Sequence, residues 1–339
     1  MTSIVHLSDH VKKYLIVYTI LSTISALPIG YYFKAVIISN KALISDLIVI
    51  LAILTIYPSM IQLKTEGFLK SFKSWKQITL SMIYVFFLSP LIAFLMAPTM
   101  GDPHIGIGYV IANVVPASSA SLGYVLIAGG NIELATALAI LSIFIGIPAI
   151  PLLVSRYSNM VSVPVPIETI ITSLLEVLVL PLIVGQLTRY VITRSKGLYY
   201  VDKIMKPHLS LATMLSMLAL VFVLVLNQAI RIITNSVLAI LILAYQSIVI
   251  LALLAISLLI SRALHIPYED HQAIALISVT KNQSVAAVIA VSALGPWSAL
   301  APALIPMIQP ILVIAYFYTE NNVKKLLSFT KEPVKMKTL

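Results

Sequence analysis

Cysteine is absent from the 339 residues, so disulfides, a thiolate nucleophile and cysteine-held metals are excluded. Charge is scarce as well. Asp, Glu, Lys and Arg make up 10% of the chain, where a soluble domain carries roughly 25%. So little charge cannot cover a water-facing surface, which excludes a cytosolic enzyme, a nucleic-acid-binding domain and a disordered protein. The six histidines are scattered, and no two stand at ligand spacing. The apolar segments hold no Ser/His/Asp set, paired carboxylates or metal-ligand set, which argues against an intramembrane enzyme; no cofactor is implied. No cleaved leader is expected, because the first apolar run is long enough to span a bilayer.

What the chain has is apolar length, with 60% of its residues hydrophobic. A bilayer-crossing helix takes about 20 apolar residues. Ten segments of that kind occur, at about 14–33, 42–62, 77–97, 105–128, 132–154, 168–188, 208–227, 236–260, 272–294 and 298–318. Backbone amides in lipid must be satisfied within the segment, and no segment alternates like a barrel strand, so the expected class is an all-α membrane protein of ten transmembrane helices. Counting basic residues tests the number. With ten spans, 17 of the 22 Lys and Arg residues fall on the face of the N-terminus and four on the other, with Lys281 inside a span. Nine or eleven spans would scramble that split. By the positive-inside rule the chain is expected to be a multi-pass plasma-membrane protein with both termini cytoplasmic. Over 64–76, Phe68, Leu69, Phe72 and Trp75 recur at helical spacing while Lys70, Lys73 and Lys76 take another face. This predicts a helix lying on the membrane surface and in contact with lipid.

The two halves of the chain are weakly alike. Leu27-Pro28-Ile29-Gly30 in the first span pairs with Leu180-Pro181-Leu182-Ile183, followed by Gly185, in the sixth. Pro116-Ala117-Ser118-Ser119-Ala120-Ser121 in the fourth pairs with Lys281-Asn282-Gln283-Ser284 in the ninth; Gly130 and Gly295 each follow fourteen residues after the start of their string. The repeats run from about 14 to 154 and from about 168 to 318. Five spans per repeat is an odd number, so the second copy enters the membrane inverted. Inverted repeats with helices interrupted at matching positions mark secondary transporters, whose sites lie near the midplane at the breaks. Spans four and nine are the expected broken pair, with Pro116, Gly130 and Gly295 as the structural residues of the crossover.

These residues resemble the bile acid:sodium symporter family and its relative, the arsenite-efflux family. The string from Pro116 to Ser121 with Ala128-Gly129-Gly130-Asn131 is similar to that family's proline-led fourth-helix crossover, and Ser89-Pro90-Leu91-Ile92-Ala93-Phe94 to its third-helix stretch. Leu178 to Gly185 resembles its sixth-helix opening, and Ile266-Pro267-Tyr268-Glu269 with Asn282 to Gly295 its ninth helix. The resemblance implies a panel of helices 1, 2, 6 and 7 and a core of helices 3–5 and 8–10, in one transporter unit over 1–339 that works by alternating access. It also implies sodium ligands that this chain has lost. The ninth-helix Glu falls at Ile277 or Ser278, and Lys281 stands in place of a Gln, followed by the retained Asn282. A Ser-Asn pair and hydroxyls of the first sodium site fall at Ser121-Leu122, Ala135 and Ala139; a third-helix Gln of the second site falls at Val85. The arsenite relatives' Cys and Glu fall at Ala117 and Ser284.

Four charges lie within spans. Asp46 and Glu133 stand near helix starts, which suit a carboxylate. Glu176 and Lys281 are deeper, and a lysine at a helix centre costs roughly 2.5–3.5 kcal/mol, so it faces a cavity or a partner. One reading pairs Lys281 with Glu176 across the domain interface. The other makes Lys281 the replacement for bound sodium, either as a fixed charge in a uniporter or exchanger or as a lysine that cycles a proton. Either way the expected substrate is a small organic anion, carboxylate-like, held by Ser118, Ser119, Ser121, Lys281, Asn282, Gln283 and Ser284. The alternatives are a sodium-coupled symporter with another sodium site, an oxyanion efflux carrier and, further off, a passive channel or a sensor.

Overall fold

A computed structural model of the protein describes residues 2–64 and 74–328. Most of the surface helix expected over 64–76 lies outside these residues. Eight helical stretches among them are long and apolar enough to cross a bilayer, matching the expected spans one to three, five to eight and ten. The first is α2 (Leu15–Tyr32), preceded by the amphipathic α1 (Thr2–Lys13); α4 (Lys41–Gln62) follows the short α3 (Lys34–Ser39). The third stretch joins α5 (Trp75–Ile83) to α6 (Ser89–Met96) through one π turn, Tyr84–Leu88. Then come α9 (Ile132–Met160), α10 (Ile167–Leu174) joined through a second π turn, Leu175–Val179, to α11 (Leu180–Lys196), α12 (Lys206–Thr234) and α13 (Ser236–Ala263). The last is α16 (Leu300–Phe317), followed by α17 (Glu320–Leu327). α9, α11 and α12 outrun their apolar segments by several residues, because a helix does not stop where lipid stops. Their charged ends, Arg156, Arg194 and Arg231 among them, carry on as regular helix.

The remaining two expected spans are each a pair of short helices. Residues 103–127 form α7 (Pro103–Val114) and α8 (Ala120–Ile127), and residues 268–294 form α14 (Tyr268–Val279) and α15 (Gln283–Leu294). The sequence dictates both interruptions. Pro116 has no amide to donate and pushes Val115 into an extended conformation (φ −66°, ψ 154°). In the other pair, Asn282 caps α15 by accepting from Val285 N–H at 3.4 Å.

Nearly every residue of α14 and α15 is buried, polar ones included. A helix apolar on all sides belongs at the centre of a bundle, and these two have no polar stripe to offer water. Around them, α12 runs along α2 and α4, and α11 along α4; α13 packs on α14 and α16, and α7 on α9, α15 and α16. Glycines permit the closest of these approaches. A β-carbon on Gly30 of α2 would lie 2.4 Å from the Leu226 carbonyl of α12, and one on Gly185 of α11 would lie 2.7 Å from Met60 of α4. Gly108 of α7 meets the Ser298 carbonyl, which would stand 1.8 Å from such a carbon. That contact seats the 296–299 turn directly on α7.

Polar contacts gather at the two ends of the bundle. At one end Asp202 bridges Lys64 at 2.6 Å and Arg189 at 3.0 Å, and Asp270 accepts from Gln77 at 2.9 Å and Asn131 at 2.8 Å. At the other, Thr99 meets the Tyr245 hydroxyl at 2.7 Å and Asp102 caps α7.

Candidate functional site

The two breaks meet. Ala117 and Lys281 face each other in an isolated antiparallel bridge. Ser118 N–H donates to the Thr280 carbonyl at 2.8 Å, and Asn282 N–H to the Pro116 carbonyl at 2.9 Å. Side chains satisfy the rest: Ala117 N–H donates to Ser142 Oγ at 3.1 Å, and Lys281 N–H to Gln309 Oε1 at 3.2 Å. Non-helical backbone at membrane depth is tolerable only when its amides are met in this way. Four half-helices therefore end at one place. The N-termini of α8 and α15 bring partial positive charge to it, and the C-termini of α7 and α14 partial negative charge.

Lys281 is 2% exposed. Its Nζ donates to the Val85 carbonyl at 2.9 Å and lies 6.0 Å from the centre of the Phe86 ring. The local sequence explains why that carbonyl is available. In the π turn, Ser89 N–H reaches back five residues to the Tyr84 carbonyl. The next donor in the same pattern would be residue 90, for Val85, but residue 90 is proline and has none. The proline thus leaves a bare carbonyl in the interior, and the Lys281 amino group occupies it. When protonated, that group has three N–H donors. One is used on Val85, and the other two have no partner among the described residues.

The remaining sequence-predicted residues lie along the same crossover. Ser121 is buried and donates to the Ser118 carbonyl at 2.5 Å. Ser118 Oγ accepts from Ala120 N–H at 3.3 Å. Asn282 is engaged as the cap of α15, and Gln283 Nε2 donates to the Ala112 carbonyl at 3.1 Å, tying α15 to the end of α7. Ser119 and Ser284 carry hydroxyls that no other described residue engages. Pro116 stands at the break itself, but Gly130 and Gly295 do not. Fourteen residues carry the chain past a whole half-helix: Gly130 lies beyond α8 against Gln272, and Gly295 ends α15 with φ at 81°. The structure does not join Lys281 to Glu176 either. Glu176 is exposed, on the π turn between α10 and α11, while the ammonium is turned inward onto Val85. Glu176 remains a charge in mid-span without an ionic partner among the described residues.

Sequence reasoning missed Gln309, Ser142 and the freeing of the Val85 carbonyl. Buried polar atoms without a partner among the described residues include Tyr84 OH, Thr280 Oγ1 and Gln283 Oε1. Thr280 could have been found, since it adjoins Lys281; the others give no local signal. Replacing Asn282 with alanine removes the cap at the crossover and is expected to cost about 1 kcal/mol. The check is a lower midpoint in thermal unfolding of the purified protein.

The two sides of the crossover are covered unequally. α15 packs against α4, α10 and α12. The principal neighbours of α8 are α9 and α14, and those of α14 include α5, α9 and α13. Ala120, Leu126 and Ile127 of α8 are exposed.

Residues 49–235 match the sodium bile acid symporter family, more than half of the chain. The chain belongs to that family. It is accordingly a multi-pass integral membrane protein of a transport family rather than a family of enzymes. The matched stretch contains the first break and ends before α13, so Lys281 lies outside it. The chain is also 31% identical over 134 residues to the probable sodium/metabolite cotransporter BASS4, chloroplastic, of Arabidopsis thaliana. That match takes in 39% of this chain and 31% of the plant protein. Among the described residues no three His, Cys, Asp or Glu side chains form a metal-holding group. A protonated Lys281 on the Val85 carbonyl and a metal cation at the same place would repel each other at short range.

Proposed function

We propose that this protein is a secondary carrier of a small, carboxylate-like organic anion, working by alternating access, with Lys281 serving as a built-in cation in place of sodium. The observation that carries this reading is the buried Lys281 amino group, which makes one hydrogen bond, to the Val85 carbonyl. A buried charge needs a partner, and a carboxylate arriving at the crossover supplies both the charge and the acceptors. The positive ends of α8 and α15, with the hydroxyls of Ser119 and Ser284, favour the same ligand. Ser118, Ser121, Asn282 and Gln283 shape the site through the backbone they hold.

In this reading the ten crossings form two inverted repeats. The panel is α2, α4, α10 with α11, and α12; the core is the rest, with α7/α8 and α14/α15 crossing at its centre. The packing of α12 along α2 and α4 and of α13 against α14 and α16 supports that division. The pair of broken helices meeting at the crossover supports a carrier over a channel. The orientation, with both termini cytoplasmic, rests on the basic-residue count. Sodium coupling is the second reading, favoured by family membership and by the printed name of the plant relative.

Thermal stability of the purified protein separates the two readings, measured with a panel of organic anions from pH 5 to 8 in sodium or in potassium salts. Ligand that binds only the folded state raises the unfolding midpoint. The expected result is stabilisation by a carboxylate to the same extent in both salts. A rise that needs sodium would restore the symporter reading. If Lys281 cycles a proton, the stabilisation changes across the pH series; if it is a fixed charge, it does not.

A further inference from the structure

Polar side-chain contacts respect the division into panel and core. Tyr57 meets Thr188 at 3.0 Å and Gln62 accepts from Ser210 at 3.0 Å within the panel. Asn113 donates to Gln246 at 3.1 Å within the core. Among the described residues one long-range side-chain hydrogen bond joins the two groups: Gln228 Nε2 of α12 donates to the Pro296 carbonyl. Gln228 is fully buried. One turn further along α12, Arg231 donates to Gln228 Oε1 at 2.9 Å, and its guanidinium lies 4.1 Å from the centre of the Trp297 ring. Trp297 in turn donates its Nε1–H to Asp102 Oδ2, and Asp102 Oδ1 caps α7 through His104 N–H at 2.8 Å. A continuous set of polar contacts therefore runs from α12 through the 296–299 turn to the start of α7. It lies at the end of the bundle opposite Lys64 and Asp202, on the side of the crossover that α15 and its neighbours close.

We propose that Gln228 and Arg231, seated on Pro296 and Trp297 and backed by Asp102, form a latch that seals this end of the transport path and must open once in every cycle. The proposal rests on the carrier reading, because it needs a core that moves against a panel. Such movement must part α12 from the 296–299 turn, and these are the polar contacts there to be broken. They suit repeated breaking. Arginine over a tryptophan face is a contact of moderate strength, and the guanidinium of the half-buried Arg231 finds water as soon as the two surfaces separate. Asp102 keeps both the α7 cap and Trp297 when α12 leaves, so no carboxylate is left unpaired in the open state.

The absence of cysteine makes the test direct. A single Ala120→Cys substitution puts one thiol on the exposed start of α8, beside the crossover. Sealed, oriented vesicles are then labelled with a membrane-impermeant maleimide from either side. In the Ala120→Cys parent the thiol should react readily from the Lys64 side and slowly from the Trp297 side. Adding Arg231→Gln should raise the rate from the Trp297 side about two- to fivefold, the population shift expected for the loss of one cation–π contact. Trp297→Ala should do the same, read alongside a parent-like unfolding midpoint, and Arg231→Lys, which keeps a cation over the ring, should stay near the parent. Arg231 is half-buried, so its replacement by glutamine gives a folded protein in which the answer can be read. Labelling needs no substrate, so a wrong choice of anion leaves the result intact. Unchanged labelling from both sides in Arg231→Gln would overturn the latch even where anion transport is measured.

Discussion

Replacing Lys281 with methionine is expected to abolish anion-dependent stabilisation and to cut transport by the equivalent of about 2–5 kcal/mol, the usual cost of removing one partner of a buried, hydrogen-bonded charge pair. Methionine keeps the length and apolar bulk of the side chain, so packing around Phe86 changes little. The ammonium is lost, and with it the one donor on the Val85 carbonyl and the two that face the proposed ligand. Without ligand, the variant should unfold near the parent midpoint, because burying an unpaired charge and leaving a bare carbonyl carry opposing penalties. With ligand, the parent midpoint rises and that of the variant does not. A shorter variant, Lys281→Ala, should recover part of the response when ethylammonium is added, since that ion can supply the missing charge. Parent-like anion transport by Lys281→Met would remove Lys281 from the mechanism.

The second large effect concerns Pro90, and its sign is the informative part. Helix propensity alone says that alanine in place of proline inside a helix stabilises it, by up to about 3 kcal/mol. The structure leads to the opposite expectation. An alanine at that position brings an amide to the Val85 carbonyl and displaces the Lys281 ammonium, and a buried charge stripped of its partner costs about 3–5 kcal/mol. The Pro90→Ala protein should therefore unfold at a lower temperature than the parent. In the Lys281→Met background the same change should be neutral or stabilising, because no ammonium remains to be displaced. That difference is a coupling between residues far apart in sequence, and a double-mutant cycle measures it directly. Additive effects of the two changes would mean that the freed carbonyl does not serve the lysine.

The apolar spans were legible because each carries its own signal, a run of about 20 apolar residues. The breaks were legible for the same reason: Pro116 and the string from Lys281 to Ser284 are polar or helix-breaking residues where lipid tolerates neither. Relations between distant residues were not legible. Glu176 and Lys281 are both deep in spans, and nothing local reveals that one faces outward and the other toward Val85. The π turn depends on Pro90 and on a side chain almost two hundred residues further on, which no window contains. Gly130 and Gly295 share a spacing from the broken strings, but equal spacing gave only equal distance along a half-helix, and both fall beyond the crossover. Gln228 reads as one more buried polar residue until Pro296 is placed beside it.

The joint between the two breaks is made by backbone atoms, through Ser118 N–H on the Thr280 carbonyl and Asn282 N–H on the Pro116 carbonyl. These two bonds use no side-chain atom of 118 or 280, while the Asn282 side chain adds the cap of α15. Substitution at 118 or 280 can alter the charge and chemistry displayed at the crossover while the scaffold beneath stays assembled.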